Sequence, residues 1–379
     1  MKPTNPARRH RFLAAAALAV LLLPGCAGKR GGPAEAVFFP PAPNPPRIQF
    51  LLGVGDSRDV EGRPSGFSLF VMGDEEARRV KPIVKPYGVT AKNGKVYLVD
   101  ASAARVAVID FPGRTFRFLK GNAGMGAMKK PINVAVDDKG TAYVTDVARR
   151  EILVYDPEGN YVKAVGRPLG MKPIDVAVSG SELYVVDFGH SAVRILDRWT
   201  GRELGAVGQG EGLGERLSLP THLDLDARGF IYCTNIGTGR VMKFDRDNHL
   251  LQAFGRLGDG FGQFARPKGI AVDHEGRIYV VDAGHQNVQV FDPEGRLLMF
   301  FGDPGLPVGS MNLPAGIAVS RDNLDYFQTL ADPSFKLETV IYVTNQFGPH
   351  KLAVYGLGRK EGVDYEAAPA AGDGNATGP

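Results

Sequence analysis

The sequence predicts an all-β fold, a six-bladed β-propeller of four-stranded antiparallel blades. Similar segments recur at intervals of 42 to 47 residues, and each is opened by a proline: Pro86, Pro131, Pro173, Pro220, Pro267 and Pro314. After each proline come short apolar runs with period-two alternation, separated by glycine-containing turns, which is the pattern of antiparallel hairpins. The 49 glycines and 27 prolines among 379 residues fit many strands joined by tight turns.

Residues 1–25 are expected to be an export signal. Arg8, Arg9 and Arg11 precede an unbroken apolar run that ends at Leu23. This run is too short to span a bilayer, which needs about 20 residues, but it matches the core of a signal peptide. Removing this segment, with its four Lys and Arg residues and no acid, lowers the formal charge from +4 to zero. The basic composition therefore does not indicate a nucleic-acid partner.

The end of the export signal, Leu23-Pro24-Gly25-Cys26, resembles a bacterial lipobox. In such sequences the cysteine is lipidated and becomes the mature N-terminus. The resemblance implies that Cys26 anchors the chain in the bacterial cell envelope, at the periplasmic face of the outer membrane or at the cell surface. The alternative is a plain secretory signal with an incidental cysteine.

Two segments flank the predicted ring. Residues 26–47 are rich in proline and are expected to form an extended tether, and residues 359–379 are expected to be disordered. The ring is expected to span residues 48–358. Its sixth unit lacks a fourth strand, and a strand of the missing kind lies at residues 48–53, before the first unit. Placing that strand at the outer edge of the sixth blade completes six four-stranded sheets and closes the ring.

The fifth unit makes the repeat recognisable. Residues 254–292 read FGRLGDGFGQFARPKGIAVDHEGRIYVVDAGHQNVQVFD and closely resemble an NHL repeat. The resemblance runs over residues 48–356 and implies a β-propeller, which in this family commonly has six blades. The sequence has no recurrent Trp-Asp pattern of the seven-bladed WD40 class.

Polar residues interrupt the repeat near one end of the predicted channel. The second residue after the proline is glycine in three units but Asn133, Asp175 and His222 in units two to four, and Asp224 follows His222 by two. These four side chains are expected to converge at the channel mouth, since imidazole and carboxylates suit a divalent metal or a polar ligand. The alternative is an ordinary polar channel lining solvated by water.

No catalytic constellation is recognised, and no cofactor is expected. An Asp or Asn ends the second strand of every unit, which favours a structural turn over an active site. Peptidyl-hydroxyglycine lyases, enzymes on related propellers, carry zinc-binding histidines directly after the strand-opening proline. The corresponding residues are Tyr87, Ile132, Ile174, Thr221, Lys268 and Ala315.

Two insertions lengthen the first and sixth units. The first is expected to hold a short helix at residues 65–71. The second lies between strands one and two of the sixth unit and contains Tyr326, Phe327 and Phe335. These aromatic residues are expected either to pack on the ring or to bind a partner, since long loops on rigid scaffolds often carry function.

Two functions of different classes follow from the sequence. The first is a lipid-anchored, extracytoplasmic interaction module that docks an unidentified protein on its loop-bearing face. The second is a hydrolase, a lyase or a sensor of a small ligand or metal that uses the polar mouth near Asp175 and His222. A bound metal or a deep polar pocket at that mouth distinguishes them.

Overall fold

A computed structural model describes residues 36–62, 80–305 and 308–365. Two strands precede the repeats: β1 (Phe38–Phe39) and β2 (Ile48–Val54). Blade one contains β3 (Pro86–Lys92), β4 (Lys95–Asp100), β5 (Arg105–Asp110) and β6 (Thr115–Phe118). Blade two contains β7 (Pro131–Val136), β8 (Ala142–Asp146), β9 (Glu151–Tyr155) and β10 (Tyr161–Val165). Blade three contains β11 (Pro173–Ser179), β12 (Glu182–Asp187), β13 (Ala192–Asp197) and β14 (Glu203–Val207).

The second half of the ring repeats this order. Blade four contains β15 (Pro220–Leu225), β16 (Ile231–Asn235), β17 (Arg240–Phe244) and β18 (Leu250–Phe254). Blade five contains β19 (Pro267–Val272), β20 (Ile278–Asp282), β21 (Asn287–Phe291) and β22 (Leu297–Phe301). Blade six contributes β23 (Pro314–Ser320), β24 (Phe335–Asn345) and β25 (Leu352–Lys360). The predicted six-bladed, all-β architecture is confirmed.

Helices are short in the described part of the chain. They are α1 (Arg58–Glu61), α2 (Leu324–Gln328) and three 3₁₀ turns at Gly124–Gly126, Arg167–Leu169 and Leu213–Glu215. No helix among the described residues has the length and apolar character needed to cross a membrane. The export signal, Cys26 and the helix predicted at residues 65–71 lie outside the described residues.

Tight Asp-x-x-Gly turns join the strands. In blade two, Asp137 Oδ1 accepts the backbone N–H groups of Lys139 and Thr141 at 3.0 and 2.9 Å. Gly140 has φ 85°, a conformation that disfavours a side chain. The turn therefore depends on the carboxylate at its first position and on the glycine at its fourth.

The ring is closed by strand β2, as predicted. It pairs antiparallel with β25, from Ile48 opposite Leu357 to Val54 opposite Leu352, and becomes the fourth strand of blade six. Each first strand also lies against the first strand of the next blade, and β23 contacts β3. The core consists of apolar clusters that fill the spaces between neighbouring blades.

The boundaries of the ring differ from the prediction at both ends. Residues 36–47 were expected to belong to the tether, but β1 pairs with β2 and gives blade six a fifth strand. The reason is burial: Phe39 is 3% exposed and packs against Phe301 and Tyr355. At the other end, the Tyr365 hydroxyl accepts the Lys360 N–H and donates to the carbonyl of Pro46. The described part of the expected tail is therefore held against the ring.

The insertion of blade six belongs to the core. Phe327, on α2, and Phe335, at the start of β24, are both fully buried, and the Phe327 ring contacts Phe111 of blade one at 5.4 Å. Tyr326 is partly buried and stacks on Phe111. Of the two predicted alternatives, Phe327 and Phe335 therefore pack on the ring, and partner binding is wrong for them because neither ring is accessible. The insertion instead joins the first and last blades.

Candidate functional site

The two ends of the ring carry different connections. One end, here called the proline face, carries the strand-opening prolines, the loops that precede them, and the loops between second and third strands. The opposite end, the turn face, carries the turns that join strands one to two and three to four. The predicted polar residues lie near the beginning of the first strands, at the proline face.

The Asp or Asn at the end of each second strand has a structural role, as predicted. In blade two, buried Asp146 accepts the backbone N–H groups of Lys129 and Lys130 at 2.6 and 3.1 Å, just before the proline. It also accepts the N–H groups of Ala148 and Arg149. The other blades have similar contacts, made by Asp100, Asp187, Asn235, Asp282 and Asn345. These contacts fix the loop before each blade.

Asn133, Asp175, His222 and Asp224 line one cavity of about 280 Å³ on the ring axis. The first three are buried and Asp224 is partly buried. The later residues of the first strands, such as Val178, also line the cavity and are partly exposed. The four predicted residues therefore do converge, but in a cavity that reaches solvent towards the turn face.

The two carboxylates hold neighbouring blades together. Asp175 accepts the N–H of Val176 at 2.8 Å and, across the blade boundary, the N–H of Leu223 at 2.9 Å. Asp224 likewise accepts the N–H of Leu225 and, in blade five, the N–H of Val272, both at 2.8 Å. Burial raises the pKa of Asp175 to about 8 and that of Asp224 to about 6, against the effect of these hydrogen bonds.

Three threonines make the same kind of link between blades. Thr145 Oγ1 accepts the Asn133 N–H at 3.0 Å and donates to the Ile174 carbonyl of blade three. Thr234 and Thr344 donate in the same way to the carbonyls of Lys268 and Tyr87.

Among the described residues, no group of three His, Cys, Asp or Glu side chains is arranged to hold a metal ion. The geometry of the four predicted residues therefore does not support a divalent metal.

His222 closes the cavity at the proline face. Its ring stacks on Tyr87 of blade one, with 5.7 Å between centroids and 14° between planes. Because blades one and four lie opposite each other, the pair spans the axis where an open mouth was expected. Neither ring nitrogen of His222 has a hydrogen-bond partner among the described residues. Burial, with a smaller effect of Lys268, lowers the pKa of His222 to about 3, so the imidazole is neutral.

The glycines that replace these polar residues in the other blades allow close packing. A Cβ atom on Gly88 would lie 2.6 Å from the Asn133 Cα, and one on Gly269 would lie 2.7 Å from the Ala315 carbonyl oxygen. Neighbouring first strands therefore approach too closely for a side chain at these positions. Whether a unit has glycine or a polar residue at this position therefore depends on the packing of neighbouring first strands as well as on the polar lining of the cavity.

A group of cations at the proline face was missed by the sequence analysis. The residue before the proline is an exposed Lys or Arg in four blades: Lys85, Lys130, Lys172 and Arg266. Lys268 follows the proline of blade five, is 4% exposed, and holds its ammonium 5.2 Å from the Tyr87 ring centroid. The recurrent Lys-Pro or Arg-Pro pair was the sequence signal that could have revealed this group.

Exposed apolar side chains are concentrated on the same face. Of the twelve large apolar residues that are exposed in the described part of the chain, seven belong to proline-face loops. They are Val84, Met125, Leu219, Leu257, Phe261, Val308 and Phe347. Three others lie on outer strands, Val162, Leu251 and Leu298, and only Trp199 and Leu330 lie at the turn face.

Comparison with protein families matches residues 264–291 to the NHL repeat. The matched segment includes the first three strands of blade five. The remaining units share its strand pattern, and all six form blades of one ring.

Several solved structures have the same fold. A gluconolactonase from Xanthomonas campestris is 18% identical with a TM-score of 0.54, and the match covers 86% of this chain and 98% of that chain. An auxiliary nutrient binding protein from Bacteroides thetaiotaomicron is 13% identical with a TM-score of 0.53, covering 72% and 69%. A streptogramin B lyase is 15% identical with a TM-score of 0.50, covering 73% and 84%. At these identities the similarity concerns the fold alone.

Proposed function

We propose that this six-bladed β-propeller, which contains an NHL repeat, is an interaction module that docks a protein partner on its proline face. The observation that carries the proposal is the concentration of exposed apolar side chains there. Phe261 is 84% exposed and Met125 is 78% exposed. Exposed apolar groups collected on one face are typical of a binding surface, and aromatic residues are frequent interface anchors.

The rigidity of the ring supports this proposal. The loops of the proline face are fixed by the second-strand Asp and Asn residues, and the blades are joined by Asp175, Asp224 and the three threonines. A surface that is already ordered loses little conformational entropy when it binds. The proline face is therefore suited to recognition without rearrangement.

The proposal includes export and attachment to the cell envelope through Cys26. The support is the sequence alone: basic residues, an apolar run and a lipobox-like ending precede that cysteine. A lipid at Cys26 would keep the ring close to a membrane. Mass spectrometry of membrane-extracted protein tests this part, and an unmodified Cys26 with cleavage elsewhere would refute it.

The docking proposal is tested by a pair of matched triple variants. The first carries Met125→Ser, Leu257→Ser and Phe261→Ser on the proline face. The control carries Val162→Ser, Leu251→Ser and Leu298→Ser on exposed outer strands. Cross-linked complexes are recovered from cell envelopes, and melting temperatures are measured beside them. We expect the first variant to lose the complex and the control to keep it. Loss of the cross-linked complex in both variants, or in neither, would contradict docking at this face.

A small-ligand site in the central cavity is the second candidate function. The observation that favours it is His222, which lines the cavity and whose two buried ring nitrogens have no hydrogen-bond partner among the described residues. A hydrolase or lyase would also have to act here. Saturation-transfer NMR with small polyols, amines and carboxylates tests this candidate. Binding that disappears in His222→Phe, with the fold intact, would support it over a purely structural cavity.

A further inference from the structure

We propose that the centre of the proline face is a carboxylate-binding site, in which Lys268, Lys85 and Arg266 receive an acidic side chain of the protein partner. The identity of the occupant as a protein rests on the proposed docking function. The affinity of the site for a carboxylate does not, because it follows from the charges and burial of these three residues.

Lys268 is a buried cation held in a fixed position. It is 4% exposed, and its backbone carbonyl accepts the Thr234 hydroxyl of blade four at 2.7 Å. Its ammonium lies over the ring of Tyr87, 5.2 Å from the centroid. A cation–π contact stabilises an ammonium only partly, so this group retains its capacity to bind an anion.

Other cations surround Lys268. Burial, with smaller contributions from repulsion by Arg266 and Lys85, lowers its pKa to about 8. At neutral pH the ammonium is nevertheless charged. In the described part of the chain no carboxylate forms an ion pair with the side chains of Lys268, Lys85 or Arg266. Asp100 and Asp282 lie nearby, but they accept the backbone N–H groups of Lys85 and Arg266. Three neighbouring cations whose side chains form no ion pair favour an anion supplied from outside.

The chemistry of these donors suits a carboxylate. An arginine can bind a carboxylate through two parallel N–H groups, and lysine ammonium groups add point charges. Burial raises the pKa of Tyr87 to about 12, so its hydroxyl stays protonated and uncharged beneath the cations. His222, packed against Tyr87, is also neutral. The groups that surround Lys268 therefore leave the site with a net positive charge.

The surroundings of the site favour a protein as the occupant. The Lys85 ammonium lies 5.2 Å from the centroid of exposed Phe347, and exposed Val84 is its neighbour in the chain. In blade four the residue directly before the proline, which corresponds to Lys85, is the exposed Leu219. A cationic centre with apolar groups beside it matches an Asp or Glu flanked by apolar residues. A nucleic acid would require a continuous cationic path for its phosphates.

The test uses the full chain and isothermal titration with three probes. They are a short peptide with one Glu between Leu and Phe, the same peptide with Gln, and sodium glutarate. The variant is Lys268→Met, and the control is Lys139→Met, an exposed lysine of the turn face. We expect Lys268→Met to weaken binding of the Glu peptide by about tenfold or more, and Lys139→Met to leave it unchanged. We also expect Lys268→Met to raise the melting temperature, because it removes a buried cation.

Each outcome supports or overturns the proposal. Tighter binding of the Glu peptide than of the Gln peptide, lost in Lys268→Met, supports it. Equal binding of both peptides, no Glu-peptide binding at millimolar concentration, or unchanged binding by Lys268→Met overturns it. Binding of glutarate as tightly as the peptide would assign the site to free small anions and overturn the choice of a protein occupant. A lower melting temperature in Lys268→Met would assign the lysine a structural role and overturn the proposal.

The triple serine variants separate this proposal from the docking function. If Lys268→Met keeps the cross-linked complex and the proline-face triple variant loses it, docking stands and the carboxylate site fails. If Lys268→Met loses carboxylate binding while the triple variant keeps the complex, the carboxylate site stands and the proposed docking surface fails.

Discussion

Tyr87 and His222 stack across the axis of the propeller, with ring centroids 5.7 Å apart and planes inclined by 14°. They come from first strands on opposite sides of the ring, so their contact separates the proline face from the cavity beneath it. As a result the protein has two distinct regions on one axis. A cationic surface with exposed apolar residues lies above the pair, and a polar cavity of about 280 Å³ lies below it.

The stability contributed by His222 is expected to depend on pH. Its pKa is lowered from 6.5 to about 3 in the folded protein, so between these values the unfolded chain binds the extra proton. This contribution is therefore present above pH 6.5 and is lost as the pH falls towards 3, by about 1.4 kcal/mol for each pH unit. His222→Phe keeps an aromatic ring against Tyr87 and removes the titration. We expect its stability to fall less than that of the wild type between pH 6.5 and 4.5.

Denaturant unfolding of both proteins at several pH values measures this difference. The raised pKa values of Asp175 and Asp224 act in the opposite direction, favouring the folded state at low pH. They are common to both proteins, so the comparison isolates the histidine. Parallel pH profiles for the two proteins would show that His222 is not a buried neutral base.

The aromatic residues of the blade-six insertion are expected to contribute to stability and not to binding. Phe327→Ala removes a fully buried ring from the seam between blades six and one, which should cost about 3–5 kcal/mol. Leu330→Ala is the matched control, because Leu330 lies in the same insertion and is 39% exposed. Chemical unfolding measures both. A smaller loss for Phe327→Ala than for Leu330→Ala would mean that the insertion does not pack as described.

The closing strand is expected to be needed for a stable ring. Ile48 is fully buried where β2 pairs with β25, so Ile48→Ala should lower the free energy of unfolding by about 2–5 kcal/mol. Val162→Ala, on an exposed outer strand, should change it by less than about 0.5 kcal/mol. Urea denaturation compares them, and equal effects would show that β2 does not hold the ring closed.

The fold was more predictable than the site because it depends on patterns repeated six times. The missing strand of the sixth unit and the spare strand at residues 48–53 could be matched by counting, and their pairing is confirmed. The roles of Phe39 and Phe327 could not be read in this way. Both lie outside the repeat, so no period indicates which side of the chain is buried.

The site was predicted only in part because its residues meet across the ring. Asn133, Asp175 and His222 occupy the same position in neighbouring units, and Asp224 follows His222 by two on the same strand, which was enough to predict that they meet. Tyr87 belongs to a different position and to the opposite blade, so the sequence did not show that it closes the channel. Lys268 precedes a glycine in an apolar strand, and only the three-dimensional packing shows its burial.

Site-specific photo-crosslinking in cells tests the proposed docking face most directly. A photoreactive phenylalanine replaces Phe261 on the proline face, Val162 on an outer strand, or Trp199 on the turn face, all of which are exposed. We expect one discrete cross-linked protein from position 261 and none from positions 162 and 199. Cross-linking from position 199 or 162 without any from position 261 would contradict the assignment of the proline face as the docking surface.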